Sequence, residues 1–273
     1  MQTRIGQLSR PFGKLYYEVT GSGPPIVFAH GLGGNHLSWW QQVAHFSPQY
    51  SCVTFAHRGF VPSEPVPGGP DPADYAGDLA ALITHLSLER PVLVAQSMGG
   101  WSCVDYALAN PGKVSGLVMA CTTGTLDFGK AGRDISSELA AWQQRVDETL
   151  PLWAKSGIHP ACGEAFAKRL PALYELYKSI DRINAGLDKA LVRQRIWEAR
   201  NRSPADLATL DCPALFLSGA DDLVVPPCGV EAVAAHAARG RFVSVPETGH
   251  SVYFEDAARF NAELDRFMSE LKA

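Results

Sequence analysis

The sequence has no long hydrophobic run, no excess of basic residues and no recognisable cysteine pairs. Its apolar runs are far too short to cross a bilayer, and residues 1–6 lack the apolar stretch of a signal peptide. Lysine and arginine number 24 against 28 aspartate and glutamate, which gives a net charge of -4. A charge balance without a basic patch argues against nucleic acid as a partner. We therefore predict a cytoplasmic protein that binds neither nucleic acid nor membrane.

Metal and nucleotide motifs are absent as well. The six cysteines form no C-x-x-C pair, and the eight histidines show no metal-ligand spacing. The glycine-rich segment 31–34 lacks the Lys-Ser/Thr sequel of a phosphate-binding loop, and no G-x-G-x-x-G opens a helix. We therefore predict no metal and no cofactor. The chain has 273 residues, 46% of them hydrophobic, which suits one large globular domain with an insertion.

What the chain does have is an alternation of short apolar runs and helical patterns, which is typical of an α/β protein with a mainly parallel sheet. Strands are predicted at 15–19, 26–29, 52–55, 92–96, 114–119, 214–217 and 242–245. The alternation stops from 125 to 203, where only helical patterns occur. We therefore predict an α/β core formed by 1–124 and 204–273, with a helical cap, 125–203, inserted over the strand ends.

Ser97 follows an apolar run and precedes Met98 and two glycines. A strand that leads into a serine and then into small residues is the sequence form of a nucleophile elbow. The turn from strand to helix is so sharp that bulky residues two before and two after the serine would clash, and Ala95 and Gly99 are both small. A serine presented in this way indicates nucleophilic catalysis, which requires a base, an acid and an oxyanion hole.

Two later loops at strand ends supply the base and the acid. His250 follows the predicted strand 242–245 by a short loop, and Asp222 follows the strand 214–217. We predict that His250 is the general base and that Asp222 holds its imidazole. Asp221 and Asp127 are competing candidates for the acid, because each also follows a predicted strand.

The oxyanion hole requires two backbone N–H groups near the serine. Met98, directly after the serine, is expected to supply one of them, and Leu32, in the loop after the strand 26–29, the other. Glycines at 31 and 33 let this loop turn tightly and approach a substrate closely. We therefore predict an oxyanion loop that contains His30, Gly31 and Gly33.

These motifs resemble the α/β-hydrolase family, in particular its esterases, lactonases and C–C hydrolases. The resemblance covers the core from 15 to 268 and rests on three segments in the family's order: 30–34, 96–100, and Gly219-x-x-Asp222-x-x-x-Pro226 followed by His250. It implies an α/β-hydrolase fold and a Ser97–Asp222–His250 triad, and its G-x-x-D-x-x-x-P pattern favours Asp222 over Asp221.

The sequence departs from the family pattern in two places. The elbow of the family usually begins with glycine, where this chain has Ala95. In the loop after the strand 52–55, Ala56 stands where the family tends to have an aspartate, and Val61 replaces a glycine. The triad does not depend on this loop, so these departures bear on the conformation of the loop and not on the chemistry.

The residues and the resemblance together predict a serine hydrolase that cleaves a small or medium apolar ester or lactone. Two alternatives stay open: hydrolysis of a C–C bond in a ring-cleavage product, and a hydrolase-like receptor that turns over a small ligand slowly. The sequence does not indicate an oligomeric state. The residues expected to line the substrate pocket are Trp101, Thr122, Trp153, Val224 and Ser251.

Overall fold

A computed structural model describes residues 2–272, and its centre is one sheet of eight strands. The strands run in the order β1-β2-β4-β3-β5-β6-β7-β8 across the sheet. The pairs β1–β2 and β2–β4 are antiparallel, and all other neighbours are parallel. The predicted α/β class with a mostly parallel sheet is confirmed. The strands are β1 (Thr3–Arg10), β2 (Gly13–Thr20), β3 (Pro25–Ala29), β4 (Ser51–Phe55), β5 (Val92–Gln96), β6 (Gly116–Ala120), β7 (Ala214–Gly219) and β8 (Gly240–Val245).

Both faces of the sheet are buried, which explains why its central strands are continuous apolar runs. In β3, Val27 belongs to the core cluster on one face, whereas Ile26 and Phe28 belong to the cluster on the other. Helices cover both clusters. The α-helices are α1 (Trp40–Phe46), α2 (Tyr75–His85), α3 (Gly99–Ala109), α4 (Ser136–Ser156), α5 (Glu164–Arg169), α6 (Pro171–Ile183), α7 (Lys189–Glu198), α8 (Pro227–Ala234), α9 (Val252–Glu255) and α10 (Ala257–Glu270).

Helices α4 to α7 form the insertion between β6 and β7. Its two ends are joined by an isolated parallel bridge between Leu126 and Arg202, in which the N–H of Arg202 donates to the carbonyl of Thr125 at 2.9 Å. The bridge closes the base of the insertion close to the predicted limits, 125 and 203. We call the helices α4 to α7 the cap; the division of the chain into separate domains stays a prediction.

Asn184, at the end of α6, ties the cap to the core. Its side chain is buried, and its Nδ2 donates to the carbonyl of Gly34 at 3.0 Å. The backbone N–H of Val61, in the loop after β4, donates to its Oδ1 at 2.8 Å. One cap side chain therefore contacts the loops that follow two neighbouring strands, so the cap lies over the carboxyl ends of the sheet.

The structure differs from the sequence prediction at both ends of the chain. Strand β1 was not predicted: it is an edge strand with mostly exposed residues, so it lacks the apolar alternation that marks a half-buried strand. The sequence pattern over 252–271 predicts a single helix, whereas the structure divides this segment at Asp256, whose side chain accepts from the N–H of Arg259 at 3.0 Å and thereby caps α10. Among residues 2–272, no helix has the length and apolar character that a bilayer crossing requires.

Candidate active site

The register of the parallel strands brings the predicted site residues to one edge of the sheet. Ala29 of β3 is paired with Ala95 of β5, so the loops that follow these two strands begin side by side. The strands β7 and β8, which precede Asp222 and His250, are also neighbours in the sheet. Parallel strands present their carboxyl ends at the same edge, where α/β proteins bind ligands.

Ser97 sits in a strained turn between β5 and α3. Its φ is +48°, in the left-handed region that few non-glycine residues adopt. A side chain at Gly99 would place its Cβ 2.2 Å from the backbone oxygen of Ala29, so the position after the turn accepts only glycine. Ala95, where the family usually has glycine, is fully buried within the sheet. The structure accommodates this departure without losing the turn.

Ser97, His250 and Asp222 form a continuous chain of hydrogen bonds. Nε2 of His250 lies 2.8 Å from Oγ of Ser97, and Nδ1 of His250 lies 2.8 Å from Oδ2 of Asp222. A carboxylate accepts hydrogen bonds, so Nδ1 carries the proton and Nε2 is left free to accept one from the serine. The N–H groups of Val224 and Val225 donate to the other oxygen of Asp222, at 2.8 and 3.0 Å. The buried carboxylate is therefore fully satisfied and held in place.

The two competing aspartates lie elsewhere. Asp221 is exposed and forms an ion pair with Arg145 at 3.0 Å. Asp127 accepts from the N–H of Gly129 at 3.0 Å and caps a short 3-10 helix, Phe128–Lys130. Neither carboxylate contacts His250, whereas Asp222 does.

The loop that carries His250 is anchored by a buried carboxylate that sequence reasoning missed. Oε2 of Glu255 accepts from the N–H groups of Gly249 and Gly163, both at 2.9 Å, and Oε1 accepts from that of Ser251 at 3.0 Å. Burial raises the pKa of Glu255 in spite of these three donors. The one sequence feature that could have indicated this role is the position of Glu255, an acidic residue directly after the apolar run 252–254. Because Gly163 belongs to the cap, Glu255 also couples the cap to the histidine loop.

Leu32 and Met98 are the two residues whose backbone N–H groups are predicted to form the oxyanion hole. Both residues line the cavity that contains Ser97, and within residues 2–272 neither N–H donates a hydrogen bond. Gly33 lies in the same wall. At Gly31 a side chain would place its Cβ 2.1 Å from Oε1 of Gln96, so a larger residue here would displace the buried Gln96 side chain, whose Nε2 donates to the carbonyl of His250. Free donors beside the serine are what a developing oxyanion needs.

His30 holds the oxyanion loop as a neutral imidazole. Its Nε2 accepts from the N–H of His57 at 3.0 Å, so its Nδ1 must donate to the carbonyl of Gly31, at 2.8 Å. Complete burial lowers the pKa of His30 to about 3. The pKa of His57, which is also buried, is lowered for the same reason. His30 therefore links the loop after β3 to the loop after β4.

The loop after β4 is ordered without the usual aspartate at position 56. The hydroxyl of Ser63 donates to the carbonyl of Ala56 at 2.6 Å and accepts from the N–H of Tyr16 at 2.8 Å. Arg58 donates to Asp78 of α2 at 2.6 and 2.7 Å, which gives a two-pronged ion pair. The loop thus depends on Ser63 and on this ion pair rather than on a side chain at position 56.

A cavity of about 490 Å³ opens at Ser97 between the core and the cap. Trp101, Thr122 and Val224 line it as expected, but Trp153 and Ser251 do not. The hydroxyl of Ser251 donates to the carbonyl of Ala161 at 2.7 Å and lies 2.9 Å from the hydroxyl of Tyr177, so it is bonded to residues of the cavity wall and does not itself line the cavity. Trp153 is buried within the cap. Apolar residues that the sequence did not single out complete these walls, namely Leu150, Pro160, Ile196, Trp197, Leu223 and Val225.

The cap also brings charged side chains to the cavity, which sequence reasoning missed. Lys189 and Asp181 form an ion pair at 2.7 Å, and His159 lies 3.8 Å from the same carboxylate. Arg193 and Arg200 line the cavity as well. The cap sequence contains many charged residues at helical spacing, and no local pattern distinguishes those that face inward.

One group of residues has the spacing of a metal site. Among residues 2–272, ligand atoms of Cys121, Asp222 and His250 lie within 4.8 Å of one another. The carboxylate and the imidazole are already bonded to each other, and burial raises the pKa of Cys121 well above its usual range, which disfavours the thiolate that binds metals. We therefore assign Asp222 and His250 to the candidate triad and not to a metal site; the absence of a metal stays a prediction.

Residues 24–257 match the model of the family that is described as "alpha/beta hydrolase fold". The chain belongs to this family. Two curated relatives of this chain have names that give different activities. The "Putative non-heme bromoperoxidase BpoC" of Mycobacterium tuberculosis is 28% identical over 268 residues, 95% of this chain and 99% of that protein. The "Putative carbamate hydrolase RutD" of Klebsiella pneumoniae is 31% identical over 252 residues, 88% and 90% of the two chains.

Solved structures of alpha/beta hydrolases share the fold along the whole chain. A thermophilic esterase from Thermogutta terrifontis superposes with a TM-score of 0.77, covering 99% of this chain and 100% of the esterase at 24% identity. At this identity the likeness shows the fold alone. The chemistry of this family member must therefore be argued from its own site.

Proposed function

We propose that this protein is a serine hydrolase that cleaves a carboxylic ester or lactone through an acyl-enzyme on Ser97. The observation that carries the proposal is the unbroken chain of hydrogen bonds from Asp222 through His250 to Ser97, at 2.8 Å for each step. Ser97 lines a cavity whose wall also contains Leu32 and Met98, the two residues with free backbone N–H groups. A nucleophile, an oriented base and an oxyanion hole together are the requirements of acyl transfer.

The reaction follows from this geometry. Oγ of Ser97 attacks the carbonyl carbon while Nε2 of His250 takes its proton, and the oxygen of the tetrahedral intermediate is held by the N–H groups of Leu32 and Met98. Asp222 keeps the imidazole in the correct tautomer and stabilises its positive charge. The intermediate collapses, the proton passes from His250 to the departing alkoxide, and the acyl group stays on Ser97. A water molecule, deprotonated by His250, then releases the acid and restores the serine.

The cavity favours a small or medium substrate with an apolar body. Its volume of about 490 Å³ is at the lower end of the range of ligand pockets, and most of its wall is apolar. The names of the two curated relatives point to different substrates, so similarity does not choose among them. Hydrolysis of epoxides or haloalkanes through a covalent ester needs a carboxylate nucleophile, and position 97 holds a serine.

Two other activities share this site. A C–C hydrolase of ring-cleavage products is less favoured because proteins of that group often have tryptophan directly after the histidine, whereas this chain has Ser251, which supports the cap. A receptor that binds a small ligand without turnover would not need a triad with every hydrogen bond formed. The same geometry therefore favours the esterase or lactonase.

The test is nitrophenol release from acyl esters of increasing chain length, by the wild-type protein and by Ser97→Ala. We expect turnover that requires Ser97, with a chain-length optimum that reports the depth of the cavity. The control is Ser137→Ala, which removes an exposed cap serine and should retain full activity. Equal activity of pure Ser97→Ala and wild-type protein would overturn the proposal, and a stable ligand complex without product would favour the receptor.

A further inference from the structure

Arg200, just beyond α7, is a cation in the cavity wall without a counter-ion. Its Nε and Nη1 are buried and make no hydrogen bond within residues 2–272. No carboxylate of the described chain lies within ion-pair distance of its guanidinium. Buried charged groups in proteins are normally paired, since an unpaired buried donor costs its full desolvation energy. An unpaired guanidinium beside a catalytic cavity therefore indicates a missing ligand.

Three aromatic rings hold this guanidinium in place. Its carbon lies 4.4 Å from the ring centre of Trp197, 5.1 Å from that of Trp101 and 5.7 Å from that of Phe128. Aromatic faces stabilise a guanidinium but accept no in-plane hydrogen bonds from its edge. The rings thus fix the position of Arg200 but supply no acceptor to its buried Nε and Nη1.

The charge around Arg200 is not neutralised from elsewhere. Asp127 raises the pKa of Arg200, but burial outweighs this effect and lowers that pKa to about 10. At neutral pH the side chain is therefore still protonated. An anion bound in the cavity would supply the missing counter-charge.

The other charges of the cavity do not satisfy Arg200. Asp181 is already paired with Lys189, and Arg193 is exposed at the cavity without an ion pair. The cavity wall thus carries an excess of positive charge, although the whole chain has a net charge of -4. A concentration of one sign of charge in a cleft attracts ligands of the opposite sign.

We propose that the substrate carries a carboxylate group, separate from the scissile ester or lactone, and that Arg200 binds this carboxylate. The inference rests on the proposed function, since it names the class of ester or lactone that the same site accepts. Trp101 of α3, four residues after Ser97, stacks on Arg200. Ser97, Trp101 and Arg200 all line the same cavity. A guanidinium that lines the cavity and lacks a protein acceptor can bind a carboxylate through charge-assisted hydrogen bonds.

The experiment compares substrates that differ in this one group. Monomethyl glutarate and monomethyl adipate carry the carboxylate, and methyl glutaramate replaces it with an uncharged amide of the same shape. Ester cleavage is followed by methanol release for the wild type, Arg200→Gln and Arg200→Lys. The control is Arg182→Gln, which changes a cap arginine bound to Glu175 outside the cavity.

We expect the wild type to prefer a carboxylate ester over the amide by at least about tenfold in kcat/KM. Arg200→Gln should lower kcat/KM for the carboxylate esters by about ten- to a hundredfold and change that for the amide by less than about threefold, because a hydrogen bond to a charged group is lost. Arg200→Lys should recover part of the loss, since it keeps the charge but not the two-pronged geometry. Arg182→Gln should behave as the wild type.

Binding separates this inference from the proposed chemistry. Glutarate binding to Ser97→Ala, with and without Arg200→Gln, is measured by calorimetry and needs no turnover. Hydrolysis of neutral esters with no carboxylate preference and no Arg200-dependent binding of glutarate would overturn the inference and leave the proposed function standing. Arg200-dependent binding without hydrolysis of any ester would support the anion site and overturn the proposed function. Circular dichroism of Arg200→Gln shows whether the variant is folded.

Discussion

The core and the cap meet at the same cavity but are built in opposite ways. In the core, every residue of β5 and β6 is buried, and Gly99 allows a backbone contact that no side chain would permit. In the cap, Trp153 is the one buried residue of the 21 in α4, and most charged pairs of these helices are exposed. The core places the reacting groups, whereas the cap covers them and contributes the charged wall.

This difference indicates how tightly each region constrains its residues. The triad and the oxyanion loop depend on backbone positions at strand ends, where small changes in geometry prevent the reaction. The cap needs only to cover the cavity and present a few side chains, so its surface tolerates change. Substitutions at matched positions in the two regions should therefore differ strongly in effect.

The largest difference is expected between two adjacent aspartates. Asp222→Asn should lower kcat about 10⁴-fold, because an amide favours the wrong tautomer of His250 while leaving the geometry intact. Asp221→Asn removes only an exposed ion pair with Arg145 and should change kcat by less than about twofold. Steady-state kinetics on one ester measure both. Similar losses in the two variants would contradict the assignment of the acid.

A pair of glycines tests the packing of the two regions. Gly99→Ala places a methyl group 2.2 Å from the backbone oxygen of Ala29 and should destabilise the protein by about 3 kcal/mol. Gly186→Ala, in the cap, meets open space and should change the free energy of unfolding by less than about 1 kcal/mol. Urea denaturation compares them. If Gly99→Ala left the free energy of unfolding unchanged, the elbow would be less tightly packed against β3 than the structure indicates.

His30 makes the stability of the core depend on pH. The pKa of His30 is about 3 in the folded protein, against about 6.5 for an unfolded histidine. Its contribution is therefore complete above about pH 6.5 and is lost as the pH falls toward 3, because only the unfolded state takes the proton. Between pH 7 and pH 5 the loss is about 2 kcal/mol.

The measurement is urea denaturation of the wild type and His30→Gln at both pH values. The variant should be less stable at pH 7 but should lose about 2 kcal/mol less than the wild type on going to pH 5, since glutamine does not titrate. An equal pH dependence in the two proteins would mean that His30 is protonated in the fold.

The smallest effect is expected where the cap contacts the triad. The indole Nε1 of Trp142, in α4, donates to the backbone carbonyl of Asp222 at 2.7 Å. Trp142→Phe removes this hydrogen bond and should cost about 1 kcal/mol, with a decrease in kcat/KM of less than about tenfold. Arg145→Gln, one turn further along the same helix, is the control and should leave both stability and kcat/KM nearly unchanged. A larger loss for Arg145→Gln would mean that the exposed ion pair, and not the indole, supports the acid.

Local sequence patterns were enough to predict most strands of the core and the candidate site residues. Strands, the elbow at Ser97 and the loops of Asp222 and His250 are marked by local patterns, because each depends on the few residues around it. The position of each aspartate after a strand left Asp221 and Asp127 as alternatives to Asp222. In the structure, Asp222 is the one of these three aspartates whose carboxylate is hydrogen-bonded to His250.

The surroundings of these residues depend on how distant segments of the chain pack together. Glu255 meets Gly163, and Arg200 meets Trp101, across long stretches of chain, and no local pattern marks either contact. The tertiary structure also engages the hydroxyl of Ser251 in a hydrogen bond with Ala161 and brings Arg193 to the cavity. Side chains that meet through packing of distant segments are chosen by the whole fold, so the positions of the candidate site residues could be predicted from the sequence and the character of their cavity could not.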